Sequence, residues 1–138
     1  MQTVREVLSR KGPEIRTIGP GETVFEAIRL MDEYHVGALM VLEDGKLVGI
    51  ITERDYARKI ILKGRESKRT PVSEIMSHRV THVSPDDTVE HCVQVMTDRH
   101  IRHLPVMEGH KLVGVLSMRD LLTSRAAMNE FVMSQLRK

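Results

Sequence analysis

The sequence predicts an α+β protein of two pseudo-symmetric β-α-β-β-α units packed sheet to sheet, with an N-terminal lead-in and a C-terminal helix. Three observations lead there. The chain repeats itself at an offset of 65 residues: between Pro20 and Asp55, 14 of 36 positions recur unchanged, among them Thr23-Val24, Lys46-Leu47-Val48-Gly49 and Arg54-Asp55. Each copy holds short runs of alternating apolar and polar residues around one amphipathic stretch of helical period. A unit of about 50 residues buries too little apolar surface to stand alone, whereas two copies can close one core by packing their sheets face to face. A pseudo-two-fold axis then implies two equivalent clefts.

The elements follow in order. Val4-Arg5-Glu6-Val7-Leu8-Ser9 is echoed by Val72-Ser73-Glu74-Ile75-Met76-Ser77, so a lead-in precedes each copy. Ile15 to Ile18 and Val80 to Val83 alternate as half-buried strands and end in Gly19-Pro20-Gly21 and Ser84-Pro85-Asp86 turns. Thr23 with Glu26 is a capping-box pattern, and Asp87-Thr88 offers cap oxygens to the second helix. Val24, Ala27, Ile28 and Met31 share one helical face, as do Val89, Cys92, Val93 and Met96. Strands follow at Ala38 to Leu42 and Leu104 to Met107. Asp44-Gly45 and Glu108-Gly109-His110 turn them into partner strands at Leu47 to Thr52 and Leu112 to Ser117. From Arg54 and Arg119 the chain becomes helical again. The boundaries are therefore 1–62 for the first copy, 63–71 for a polar linker ending in Pro71, 72–125 for the second copy and 126–138 for the last helix.

Composition narrows the function classes. The 21 Lys and Arg against 19 Asp and Glu leave +2 on 138 residues, too weak a field for a dedicated nucleic-acid binder. The basic run Lys63-Gly64-Arg65-Glu66-Ser67-Lys68-Arg69 fits a solvated linker. No apolar run approaches the roughly 20 residues that span a bilayer, and the N-terminus lacks a secretory pattern, so a cytoplasmic protein is expected. Cys92 is the single cysteine and lies on an apolar helical face, which makes it a buried thiol and not a nucleophile. The spacings His78/His82 and His100/His103 come without an HExxH or CxxC motif, so no metal site is expected. There is no phosphate-cradling glycine loop and no GxSxG elbow, and no catalytic residue or enzymatic activity is expected.

The sharpest local signal is Gly49-Ile50-Ile51-Thr52-Glu53-Arg54-Asp55 and its echo Gly114-Val115-Leu116-Ser117-Met118-Arg119-Asp120. A buried strand here enters a helix, with a hydroxyl at the junction and a carboxylate three residues on. Backbone N–H groups at such a start favour phosphate or other oxygens, and an aspartate can accept hydrogen bonds from a ribose diol. Thr52 and Ser117 can equally be N-caps with Asp55 and Asp120 completing the box; spacing alone favours capping.

These GhxTxxD and GhxSxxD segments, with His35-Val36-Gly37-Ala38-Leu39-Met40-Val41 and Arg99-His100-Ile101-Arg102-His103-Leu104-Pro105-Val106, resemble the cystathionine-β-synthase (CBS) domain. The tandem arrangement is similar to a stand-alone Bateman module over roughly residues 1 to 125. The resemblance implies a regulatory module that binds AMP, ADP, ATP, NAD(H) or S-adenosylmethionine in clefts between the copies and signals to an unidentified partner protein. Carried over by position, Asp55 and Asp120 hold ribose hydroxyls, and Thr52 and Ser117 contact ribose or phosphate. Backbone at Thr17-Ile18, His82-Val83, Val36-Gly37-Ala38 and Arg102-His103-Leu104 surrounds adenine. Arg102 and His103, bulky where the first copy has Gly37-Ala38, reach phosphates together with Arg54 and Arg119. Arg58 and Lys59 suit phosphate or a solvated helix face alike. Met40 stands where the second copy has the family's usual Pro105, so the two clefts need not bind alike. The resemblance also implies a homodimer formed through helices. Met128, Phe131, Val132, Gln135 and Leu136 form a C-terminal stripe suited either to closing the core or to a partner surface. An interaction module with empty clefts is the rival reading, and a nucleotide-processing enzyme the third.

Overall fold

The computed structural model of the chain describes residues 2–12, 14–123 and 125–137, without the side chains of 125–128, 130 and 134. Its elements in order are α1 (Val4–Lys11), β1 (Thr17–Ile18), α2 (Val24–Tyr34), β2 (Ala38–Glu43), β3 (Lys46–Thr52), α3 (Glu53–Tyr56), α4 (Val89–Arg99), β4 (His103–Glu108), β5 (Lys111–Ser117), α5 (Met118–Leu121) and α6 (Arg125–Leu136). The chain separates into two compact units, one of residues 16–80, the other of the segment up to Ile15 together with the chain from Thr81 onward.

In the first unit β1 pairs parallel with β2, and β2 antiparallel with β3. The β2–β3 turn has both central residues in the left-handed region, Asp44 at φ 52° and Gly45 at φ 77°. That is the type I′ geometry whose twist matches the flanking strands. Helix α2 starts at Thr23, whose hydroxyl accepts from the Glu26 amide, but the Glu26 carboxylate turns to Arg29 and leaves the capping box half made. Val24, Ala27 and Met31 of α2 join Ile18, Leu39, Val41, Ile51 and Ile60 in the core. Helix α3 runs on as a π-helical segment, Ala57–Ile61, which buries Ile60 and exposes Ile61. The polar stretch 63–71 carries a 3-10 turn at Ser67–Arg69 and buries Thr70.

The second unit repeats the hairpin in β4 and β5 and the helix in α4, with Thr88 as the cap; Asp87 instead accepts the Ser84 amide. The strand expected at Val80 to Val83 is reduced to one parallel bridge, Val83 to Val106. The cause is Pro105. Its counterpart Met40 donates its N–H to Arg16 at 3.3 Å and so extends β1 toward its start. A proline has no N–H to give to Thr81, and pairing begins only at Val83. The helix after β5, α5, is a single turn.

Each lead-in belongs to the sheet of the other copy. Val4 and Val7 pack with Val83, Val89, Cys92, Leu104 and Leu116, while Val72, Ile75 and Met76 pack with Val24, Leu39 and Ile51. The backbone repeats the same three bonds in both units. Val4 N–H donates to Asp87, Arg5 to Pro85 and Val89 to Gln2; Val72 donates to Glu22, Ser73 to Pro20 and Val24 to Thr70. In α6, Phe131 packs on the core while Val132, Met133, Gln135 and Leu136 are exposed; the Met128 side chain lies outside the described residues.

Candidate functional site

Strands β3 and β5 end in the same device. Thr52 and Ser117 are extended N-caps, and both carry complete capping boxes with Asp55 and Asp120. The Asp55 Oδ2 accepts the Thr52 amide at 3.0 Å and the Thr52 hydroxyl at 3.1 Å, and its own amide donates back to Oγ1. At the second position the Ser117 amide donates to Asp120 Oδ2 at 2.7 Å. Asp55 is only 8% exposed. The capping geometry that spacing favoured is therefore present, and it holds each carboxylate in one fixed place.

The start of the neighbouring strand is tied to the same spot. Glu53 N–H donates to Gly37 and Met118 N–H to Arg102, and the register sets Ala38 opposite Thr52 and His103 opposite Ser117. Gly37, Ala38, Thr52 and Asp55 thus converge in the first unit, and Arg102, His103, Ser117 and Asp120 in the second. Val36 closes α2 through its amide and leads into the first group. Ile18, Val83 and Leu104 are core residues, so only their backbone can serve a ligand. Thr17 is exposed on β1, across β2 from β3, and His82, Arg54 and Arg119 are exposed. Four of the helix-start amides are not open to phosphate: those of Glu53 and Met118 donate to the Gly37 and Arg102 carbonyls, those of Asp55 and Asp120 to their caps. At these four positions an anion must be met by side chains.

Two lysines supply that charge. Lys59 Nζ lies 3.1 Å from Asp55 Oδ1 and 2.8 Å from the Ile75 carbonyl oxygen. Lys11 Nζ lies 2.7 Å from Asp120 Oδ2 and 2.6 Å from the Val115 carbonyl oxygen. The first comes from four residues along the same helical segment, the second from the distant helix α1. Lys11 was not picked out from the sequence. The signal was there: the lead-in echo runs on to a basic residue in both copies, Lys11 and Arg79.

Electrostatics follow from this placement. Burial alone would raise the Asp120 carboxyl, but hydrogen bonds from Lys11 and Ser117 outweigh it and hold it below the ordinary value. Burial pushes the His103 imidazole down; Lys11 and Arg102 add to this, against an opposing pull from Asp120. Burial, with Asp87 and Glu90 nearby, pushes the Cys92 thiol up to about 12, which makes it a poor nucleophile at neutral pH. Among the described residues no three His, Cys, Asp or Glu side chains gather as a metal site would require. A depression of about 380 Å³ beside α1, lined by Arg5, Leu8, Gly12, Pro85, Glu108 and Val113, shares no residue with the Asp120 group.

Comparison with known proteins bears on both units. The family model of the CBS domain matches residues 4–62 and again 72–127. The chain is 43% identical over 114 residues to the mitochondrial CBS domain-containing protein CBSX3 of Arabidopsis thaliana, covering 79% of this chain and 54% of that protein. It is 35% identical over 125 residues to the CBS domain-containing protein YhcV of Bacillus subtilis, covering 91% of this chain and 86% of the relative. The solved structure of the CBS domain NE2398 superimposes with a TM-score of 0.85 at 43% identity, over 88% of this chain and 95% of that one. This chain spans about half the length of the Arabidopsis relative.

Proposed function

Because the chain belongs to the CBS-domain family, we propose that it is a non-catalytic regulatory module that binds an adenosyl ligand, AMP, ADP, ATP or NAD(H), at Asp55 and Asp120. The observation that carries this reading is the duplicated cradle. Each unit fixes one carboxylate at a strand-to-helix junction, beside the start of the adjoining strand and a cation. A ribose diol donates two hydrogen bonds, and a prefixed carboxylate is the acceptor that suits it. Binding becomes a signal only if the ligand prefers one of two conformations, which a partner protein then reads. In this reading the protein works in the cytoplasm as a homodimer, and the partner is a protein and not a nucleic acid or a membrane. No helix among the described residues is long and apolar enough to cross a membrane.

A second reading has its own support. Each cradle aspartate already holds an intramolecular ammonium, and Ile61, Leu62, Val132, Met133 and Leu136 are exposed. A protein-interaction module with unused cradles would look the same. Calorimetric titration with AMP, ATP, NAD⁺, NADH and S-adenosylmethionine separates the two. Saturable binding weakened at least tenfold by Asp55→Ala or Asp120→Ala supports the sensor. Flat traces from folded, nucleotide-free protein would sink it in favour of the interaction module.

A further inference from the structure

We propose that Lys11 and Lys59 are the specificity-determining residues of the two cradles, selecting adenosyl ligands that carry phosphate over neutral or sulfonium-bearing ones. The inference rests on the reading above and extends it from a ligand family to a ligand charge. It starts from the amides at the helix starts. The amides of Glu53, Asp55, Met118 and Asp120 are consumed by Gly37, Thr52, Arg102 and Ser117, so the backbone route to a phosphate is closed at these positions. Each cradle nevertheless contains a lysine ammonium that the fold holds in place by two anchors. Lys59 binds Asp55 and the Ile75 carbonyl; Lys11 binds Asp120 and the Val115 carbonyl.

The carbonyl anchor matters as much as the carboxylate. A ligand diol that takes the carboxylate weakens one bond of the ammonium, and the other keeps the charge within the cradle. A lysine ammonium has three donors, so two anchors leave one for an incoming oxygen. An anion at that point gains a charge-assisted hydrogen bond; a sulfonium at the same point meets a like charge.

The two cradles use this device differently. At Asp55 the cap takes Oδ2 and Lys59 takes Oδ1, so a diol must share the oxygen that holds the ammonium. At Asp120 the cap and Lys11 both bind Oδ2. Oδ1 can therefore receive a diol while Lys11 stays in place. Arg102, which replaces Gly37, adds a further cation at the Asp120 cradle. The Asp120 cradle should then show the larger preference for phosphate.

The test is calorimetric titration of the full chain with adenosine, AMP, ATP and S-adenosylmethionine. Wild type is compared with K11M, K59M, K11R, K59R, D55N and D120N, each checked for its thermal midpoint. Wild type should bind AMP and ATP at least tenfold more tightly than adenosine or S-adenosylmethionine. K11M and K59M should each bring nucleotide affinity at their own cradle to within about threefold of adenosine, with adenosine binding retained as proof of an intact site. The arginine variants should restore the preference. If nucleotides bind in an Asp55- or Asp120-dependent way but K11M and K59M keep the full preference, the lysine assignment is overturned and the sensor reading stands. Tighter binding of S-adenosylmethionine than of AMP overturns it as well. If no adenosyl compound binds to wild type, the sensor reading itself falls and the inference with it.

Discussion

At the residue scale, the second unit puts a histidine, a lysine and an aspartate from three elements within one electrostatic neighbourhood. His103 on β4 faces Lys11 from α1, Asp120 from α5 and its own neighbour Arg102. Its folded pKa lies below the ordinary 6.5, so the unfolded chain takes up a proton first as pH falls. Stability should therefore decline from about pH 6.5 downward until the folded imidazole also titrates. Asp120 acts lower: its folded pKa lies below 3.8, so its contribution is present above that value and lost as pH falls further. Thermal melts of His103→Gln should show a flatter profile between pH 7 and 5 than wild type, with the loss below pH 4 retained. An unchanged slope between pH 7 and 5 would mean that other groups set the acid limit.

At the element scale, the exchanged lead-ins explain the repeated glycines. A Cβ on Gly49 would lie 2.7 Å from Met76 Sδ and 2.9 Å from the Ser77 carbonyl oxygen; one on Gly114 would lie 2.6 Å from Leu8 Cδ2. Both glycines let a lead-in from the other copy cross the strand closely. The same exchange makes stability readable by unit. Ile75→Ala should cost about 2–5 kcal/mol, as loss of a buried isoleucine side chain does. The effect should fall on the first unit, seen as faster amide exchange in β2 and β3. Val7→Ala should cost less, because fewer carbons are removed, and should speed exchange in β4 and β5 instead. Equal acceleration of both hairpins by either variant would show that the lead-ins do not stabilise their host units separately.

At the scale of the whole molecule, the exposed apolar side chains set the expectation for assembly. Leu62 is 76% exposed, Leu136 73% and Ile61 58%, at the ends of helical segments where a neighbouring molecule could cover them. The proposed homodimer should sediment at twice 15.7 kDa, and the double variant Leu62→Glu, Leu136→Glu should return it to the single-chain mass. A wild-type chain that already sediments as a monomer removes the dimer from the proposal.

Much of this molecule could be read from the chain. The duplication, both hairpins with their turns, the faces of α2 and α4, and the capping pairs Thr52–Asp55 and Ser117–Asp120 are all local in sequence. Period, turn chemistry and a three-residue spacing are enough to specify them. What required the tertiary structure was every feature that joins distant segments. Pro105 silences the strand expected at Val80 to Val83 through a missing N–H that only the neighbouring strand would have used. Gly37 and Arg102 take up the first amide of α3 and α5, although sixteen residues separate each from its donor. Lys11 reaches Asp120 across 109 positions. The sequence by itself determined the elements and the two carboxylates, because their interactions close over a few residues. Which copy each lead-in completes, and which cation meets each carboxylate, was decided by packing, because those choices depend on a partner that no local pattern names.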